Sequence, residues 1–170
     1  CIILARATDL PKADRPRARF RGIGCATDTV RLGERQDAGR FVGKALAAAR
    51  AYAMAGITPG DINLAEVYDS YSGAQLQAIE ALGLVDDVIR AERENVFAAT
   101  GALPVNLSGG LLGQGAPVGA TGVAQIWAAA QQLEGRYPGK RADRQPTCAL
   151  VDTHGGIATL NAVSILEVSS

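Results

Sequence analysis

A glycine-rich run over residues 106–122 constrains this chain more than any other feature of its sequence. Six of these residues are glycine, a density that lets a backbone reach positive φ and approach itself or a ligand closely. Glycine content alone fits equally well a packed loop that leads into a helix. Two sharper local interpretations fail: a nucleotide P-loop needs a lysine that the run lacks, and a dinucleotide fingerprint from Gly113 needs glycine where Val118 stands.

Strand-like and helix-like segments alternate along the chain, which predicts an α/β fold with a mixed sheet. Apolar residues at helical spacing predict three helices, and apolar runs predict five strands. The sequence therefore indicates a mixed five-stranded sheet with helices on both faces, whose last two strands pair antiparallel around a His-Gly-Gly turn. The expected strands are residues 1–5, 18–27, 62–68, 148–153 and 157–168, and the expected helices are residues 39–55, 72–82 and 120–133.

Composition and charge exclude several classes of function. The 17 basic and 17 acidic residues leave no net charge, so we expect neither nucleic acid nor an anionic membrane as a partner. No apolar run reaches the roughly 20 residues that a membrane span needs. The three cysteines are far apart and form no CxxC pair, so we expect no metal site and a reducing, cytoplasmic location.

The beginning of the chain predicts that more protein precedes it. An apolar run over residues 1–5 opens the sequence with no initiator Met before it. We therefore expect residues 1–170 to form one domain, the C-terminal part of a longer protein.

The glycine-rich run resembles the C-terminal active-site loop of the thiolase superfamily. The pattern of that family is Asn-x-x-Gly-Gly, four residues, then Gly-His-Pro-x-Gly-Ala-Thr-Gly. The resemblance implies a cleft for an acyl-CoA substrate, with substrate-binding residues Asn106, Gly109, Gly110, Gly115, Ala116 and Gly119. The residues that fall in register without a gap are Asn106, Gly109, Gly110, Gly115, Pro117, Gly119, Ala120, Thr121 and Gly122.

Other segments resemble the lipid-transfer-protein branch of that superfamily. Residues 65–72 read Ala-Glu-Val-Tyr-Asp-Ser-Tyr-Ser, where that branch typically carries His-Asp-Cys-Phe in place of residues 68–71. Residues 149–167 resemble the last two strands of the family. The resemblance covers only the C-terminal half of a thiolase, so it implies a missing N-terminal half, which carries the nucleophilic cysteine of ordinary thiolases, and a homodimer.

Three catalytic positions of the family differ together in this chain. Ala116 stands where the family has the histidine of its oxyanion hole, and a methyl group neither donates a hydrogen bond nor moves a proton. Ser70 stands where the lipid-transfer branch has a reactive cysteine, and the turn after Thr153 lacks the cysteine of a Cys-x-Gly motif. The resemblance therefore implies an acyl-CoA pocket that has lost Claisen chemistry.

The altered pattern is similar to thiolase-like aldolases that shorten steroid side chains held as CoA thioesters and that work with an OB-fold partner of the DUF35 type. A retro-aldol step needs a base near the β-hydroxyl and a donor near the thioester oxygen. On this resemblance Tyr68 is the base or proton relay, helped by Asp69 or His154. The coenzyme A thioester is the substrate, and no bound cofactor or metal is implied.

Each candidate residue has a structural alternative. Tyr68 also fits the edge of a core, Asp69 fits the N-cap of the helix that begins near Ser72, and His154, the single histidine, fits a surface residue. Two other functions also stay open. One is an acyltransferase whose missing half supplies the cysteine, and the other is a catalytically silent carrier of lipid or acyl-CoA.

Overall fold

The fold is an α/β layer structure built on one mixed sheet. The structure is a computed structural model that describes residues 2–11, 15–35 and 37–169. The elements are β1 (Arg17–Thr27), α1 (Val42–Ala55), β2 (Leu64–Glu66), α2 (Ser72–Ala81), α3 (Val88–Arg93), α4 (Gly110–Gln114), α5 (Thr121–Leu133), β3 (Cys148–Gly155) and β4 (Leu160–Ser169), with short 3-10 turns at Ala7–Asp9, Leu32–Glu34 and Pro59–Asp61.

The four strands lie in the order β1-β4-β3-β2. Strand β2 runs parallel to β3, whereas β3 and β1 both pair antiparallel with β4. The predicted mixed sheet and the antiparallel closing pair are therefore confirmed. Residues 156–159 form the turn between that pair, so His154 lies within β3 and not in the turn.

The prediction of five strands is wrong among the described residues, because residues 2–6 form no strand. Ile3 and Leu4 are 89% and 71% exposed, so this apolar run has no surface to pack against. Cys1 lies outside the described residues. Strand β2 forms one edge of the sheet, and its residue Ala65 makes a single parallel bridge to Val105.

Helices cover both faces of the sheet, as predicted. Side chains alternate across a strand, so successive residues of β3 enter different cores. Leu150 packs in the core on the α1 side, while Val151 packs in the core on the α5 side. Among the described residues, no helix is both long and apolar enough to cross a membrane.

Helix α1 lies unusually close to β1 because small residues line the contact. Ala47 and Ala51 of α1 are fully buried. A methyl group added at Gly24 would overlap the carbonyl oxygen of Ala47, and one added at Gly22 would overlap that of Ala51. This close approach fixes α1 against the sheet, and with it the position of Lys44 in the first turn of the helix.

We predict that Gly24→Ala destabilises the fold by about 3 kcal/mol, because a backbone carbonyl cannot move aside cheaply. Gly73→Ala is the matched control, since a methyl group at Gly73 meets no atom within 4 Å. The measurement is the free energy of unfolding in denaturant, made on the protein that carries this chain. Equal stability of the two variants would contradict the close packing of α1.

Candidate active site

The candidate site lies where the parallel strands β2 and β3 end at the same edge of the sheet. Glu66 pairs with Val151 in this register, so the segment after β2 and the end of β3 are neighbours. Tyr68 and Asp69 follow β2, and His154 stands near the end of β3. Carboxyl ends of strands are the usual place for ligands in open α/β sheets.

A buried ion pair lies beneath this edge. The ammonium of Lys44 contacts Oδ2 of Asp152, and both side chains are fully buried. The same carboxylate oxygen accepts the backbone N–H of Tyr68 at 3.2 Å. Nζ of Lys44 also lies 3.2 Å from Nδ1 of His154. The pair therefore links α1, the end of β3 and the segment after β2.

Sequence analysis missed both members of this ion pair. Lys44 sits in an alanine-rich helix, where a single lysine usually stays in solvent. Asp152 offered the better signal, because it follows the apolar run of residues 148–151 inside a predicted buried strand. A charge in such a strand needs a partner.

The imidazole of His154 is neutral at neutral pH. Its pKa is lowered to about 4, first by burial and then by the positive charge of Lys44, which outweighs the opposing effect of Asp152. Burial also lowers the pKa of Lys44, while Asp152 opposes that shift. Removing one partner from a buried pair leaves an uncompensated charge, so we assign the pair as ammonium and carboxylate.

Tyr68 and His154, two of the predicted site residues, come together. Their ring centroids are 4.2 Å apart, with the planes inclined at 42°. Phe41 lies on the His154 ring as well, at 5.9 Å between centroids. Tyr68 is partly exposed, so this aromatic group meets solvent at the edge of the sheet.

Asp69 is buried and holds the glycine-rich run. Its Oδ1 accepts the backbone N–H of Leu111 at 2.6 Å, which caps α4. Gly110 adopts a φ of 60°, and a side chain there would overlap the Asp69 carboxylate. The structural alternative, an N-cap role on α2, is wrong, because the N-cap of that helix is Tyr71, which makes no side-chain cap hydrogen bond.

Asn106 fastens the beginning of the same run to β2. Its Oδ1 accepts the backbone N–H of Val67 at 2.7 Å, and its backbone N–H donates to the carbonyl of Ala65 at 2.9 Å. Its Nδ2 donates to Gln75 at 3.1 Å. The side chain is thus committed to positioning the backbone rather than free to contact a substrate.

The second half of the run projects into solvent. Residues 112–120 are exposed, and Val118 is 99% exposed. This exposed arm contains three of the predicted substrate-binding residues, Gly115, Ala116 and Gly119. Gly109 is exposed too, whereas Gly110 is buried. The structure therefore brings the first half of the run to the site, and the described residues leave the arm uncovered.

Glu66 lies buried under the glycine-rich run. Its carboxylate accepts the hydroxyl of Ser108 at 2.6 Å and the Ser108 backbone N–H at 3.2 Å. Burial raises the pKa of Glu66 to about 7, more than the two Ser108 hydrogen bonds lower it. Near neutral pH this group therefore changes its charge.

We predict that Glu66 makes the fold less stable as the pH rises. A folded pKa above the unfolded value of 4.5 favours the protonated native state. The corresponding stability is full below pH 4.5 and is lost as the pH rises to about 7. Glu66→Gln removes this dependence. The free energy of unfolding of the variant minus that of the wild type should therefore increase by up to about 3 kcal/mol between pH 4.5 and 7.5.

The measurement is denaturant unfolding of both proteins at a series of pH values. His154 also makes stability depend on pH, because its lowered pKa gives stability that is lost as the pH falls from 6.5 to about 4. Both proteins contain His154, so the difference between their two curves isolates the contribution of Glu66. A constant difference across this range would contradict a buried Glu66.

One cavity lies away from this cluster. It has a volume of about 580 Å³ and is lined by Arg21, Cys148 and Glu167, among others. A smaller groove of about 270 Å³ is lined by Phe41, Arg40 and Gln77, among others, and borders the aromatic group around His154. Within the part of the chain that the structure describes, no three His, Cys, Asp or Glu side chains are grouped to hold a metal ion.

Several known proteins are similar to this chain in sequence. The profile of the family described as "Thiolase C-terminal domain-like" matches residues 24–168. An acetyl-CoA acetyltransferase of Methanothermobacter thermautotrophicus is 39% identical over 144 residues, which are 84% of this chain and 37% of that protein. Human sterol carrier protein 2 is 38% identical over 99 residues, or 56% of this chain and 18% of that protein.

Two solved structures show the same fold. The Ltp2-ChsH2(DUF35) aldolase has a TM-score of 0.79 at 24% identity, and the match covers 95% of this chain and 41% of that chain. A monomeric SCP2-thiolase like protein type 1 of Mycobacterium smegmatis has a TM-score of 0.64 at 23% identity, covering 88% and 28%. The present chain thus spans less than half the length of these relatives.

Proposed function

We propose that this chain, which belongs to the thiolase C-terminal domain-like family, is part of an enzyme that cleaves a carbon–carbon bond of a β-hydroxyacyl-CoA by a retro-aldol reaction. Membership in this family confirms the resemblance drawn from residues 106–122. The observation that carries the proposal is the contact of Tyr68 with His154, whose ring centroids lie 4.2 Å apart, in a chain that has Ala116 where the family has an imidazole.

The reaction follows from what these groups can do. A base takes the proton of the β-hydroxyl, the bond between the α- and β-carbons breaks, and the β-carbon becomes a carbonyl. The electron pair passes to the thioester as an enolate, whose α-carbon then takes a proton from water, which has received the β-hydroxyl proton, to leave a shorter acyl-CoA. No covalent acyl-enzyme is formed, so the step does not need the cysteine that Ser70 replaces.

Tyr68 is the proton relay in this scheme, and His154 is the group that faces the developing enolate. The Tyr68 hydroxyl accepts the β-hydroxyl proton while its own proton passes to water at the open edge of the sheet. A neutral imidazole polarises a thioester oxygen through its N–H. Asp69 acts by holding the glycine-rich run, since its Oδ1 already accepts an N–H from that run.

A coenzyme A thioester is the proposed substrate, with steroid or other bulky lipid acyl groups as the class. The names of two relatives support it, acetyl-CoA acetyltransferase and the benzoylsuccinyl-CoA thiolase subunit BbsB of Thauera aromatica. Gly109, Gly110, Gly115, Ala116 and Gly119 are proposed to line the thioester cleft, while Asn106 holds the backbone of the run beside it. No further cofactor is proposed.

The exposed arm over residues 112–120 supports proposals about partners. An N-terminal thiolase half would cover this arm and complete the cleft, and a second copy would form a homodimer in the cytoplasm. A DUF35 partner of the OB-fold type is proposed because the name of the similar aldolase includes a DUF35 component. The similar protein of Mycobacterium smegmatis is described as monomeric, so the oligomeric state needs its own measurement.

An acyltransferase is the second candidate function. It is favoured by the 39% identity to an acetyl-CoA acetyltransferase, and it requires a nucleophilic cysteine from elsewhere in the protein. A catalytically silent lipid carrier is the third, in line with the similarity to sterol carrier protein 2. Thiolysis of acetoacetyl-CoA by free CoA would support the second, and binding of CoA esters without turnover would support the third.

We predict that Tyr68→Phe lowers retro-aldol turnover of a β-hydroxyacyl-CoA at least about 100-fold, the usual contribution of one acid–base group. The assay uses the full-length protein with its partner and follows the shortened acyl-CoA and the carbonyl product by mass spectrometry. Tyr71→Phe is the control, because Tyr71 is 75% exposed. Turnover unchanged by Tyr68→Phe would end the assignment of Tyr68.

A further inference from the structure

We propose that Lys44 is a positioning residue that holds His154 as a hydrogen-bond donor, by occupying Nδ1 and leaving the single ring proton on Nε2. This inference deepens the proposed function and rests on it. It gives His154 one role, that of an electrophile toward the thioester oxygen, and excludes the role of a base.

The argument starts from donors and acceptors. Nζ of Lys44 contacts Oδ2 of Asp152 and lies 3.2 Å from Nδ1 of His154. An ammonium group has three donors and no acceptor. Nδ1 must therefore accept, and a neutral imidazole that accepts at Nδ1 carries its proton on Nε2.

The charge on Lys44 is kept by its other partner. Asp152 is fully buried and accepts two N–H groups at Oδ2, from Lys44 and from the backbone of Tyr68. Its Oδ1 has no hydrogen-bond partner among the described residues. A neutral Lys44 would leave this carboxylate as an uncompensated buried charge, and Oδ2 accepts two N–H groups as an ionised carboxylate does.

The surroundings of His154 keep the imidazole from gaining a second proton. Lys44 of α1 and Asp152 of β3 are the charged groups that face it, and the aromatic rings of Phe41 and Tyr68 pack on it. Burial and Lys44 lower the pKa of His154. The ring therefore keeps one proton, and Lys44 decides which nitrogen holds it.

This arrangement compensates for a loss seen in the sequence. Ala116 provides no imidazole on the glycine-rich run, and His154 is the single histidine of the chain. His154 lies on β3, and its Nε2–H would donate a hydrogen bond to the enolate oxygen in place of the missing imidazole of the run. The buried cation of Lys44 would hold the proton on that nitrogen. The donor is then set before substrate binds, so no reorganisation is needed during the reaction.

The first test reads the tautomer directly in the full-length protein without substrate. The protein is labelled with 15N-histidine, and the His154 signals are assigned by their loss in His154→Gln. Two-bond 1H–15N correlations between pH 6 and 8 should show a bare Nδ1 and a protonated Nε2. A proton on Nδ1 would overturn the proposal.

The second test removes the cation. Lys44→Met alone strands a buried carboxylate, so the variant is Lys44→Met with Asp152→Asn. Lys44→Arg is the matched comparison, because a guanidinium keeps the positive charge beside Asp152 and has donors but no acceptor. The double variant should show mixed tautomers, a His154 pKa closer to 6.5 and a kcat about 100-fold lower, with KM nearly unchanged. Lys44→Arg should keep the Nε2–H tautomer.

The outcomes separate this inference from the proposed function. Loss of the tautomer in Lys44→Arg as well as in the double variant, or its retention in the double variant, would show that a cation at residue 44 does not set it and would overturn the role of Lys44. The expected tautomer without any retro-aldol turnover would end the proposed function and leave the positioning by Lys44 standing. Lys140→Met, in an exposed loop, should change neither the spectra nor kcat.

Discussion

The buried ion pair of Lys44 and Asp152 is the interaction on which the candidate site depends. It joins α1, β3 and the backbone of Tyr68, and it brings a positive charge to His154. An ion pair with no solvent exposure adds little net stability, but breaking it costs about 3–5 kcal/mol. The pair therefore selects one position of α1 on the sheet, which the small residues Gly22 and Gly24 of β1 make accessible.

Much of the fold was predictable from pattern alone. The helical spacing near residues 39–55, 72–82 and 120–133 and the apolar runs of the closing strands led to the correct α/β fold with a mixed sheet. The first predicted strand failed because an apolar run forms a strand only where a neighbouring strand and a core are available, and among the described residues Ile3 and Leu4 have neither. A one-dimensional pattern does not contain that information.

The candidate site was predictable only in part, because some of its contacts join residues that are far apart in the sequence. Tyr68 and His154 meet because two parallel strands end at one edge, a consequence of topology that the motifs implied. The partner of Asp152 was not predictable, since Lys44 is 108 residues away and a lysine gives no local sign of burial. The glycine-rich run was assigned as one unit, yet buried carboxylates hold only its first half, and the arm over residues 112–120 lies in solvent.

The most direct measurement is a crystal structure of the full-length protein with a non-cleavable acyl-CoA thioester bound. The account predicts the thioester oxygen within about 3 Å of Nε2 of His154, with the β-carbon substituent facing the Tyr68 hydroxyl. A thioester bound elsewhere, with both rings still covered by solvent, would contradict it.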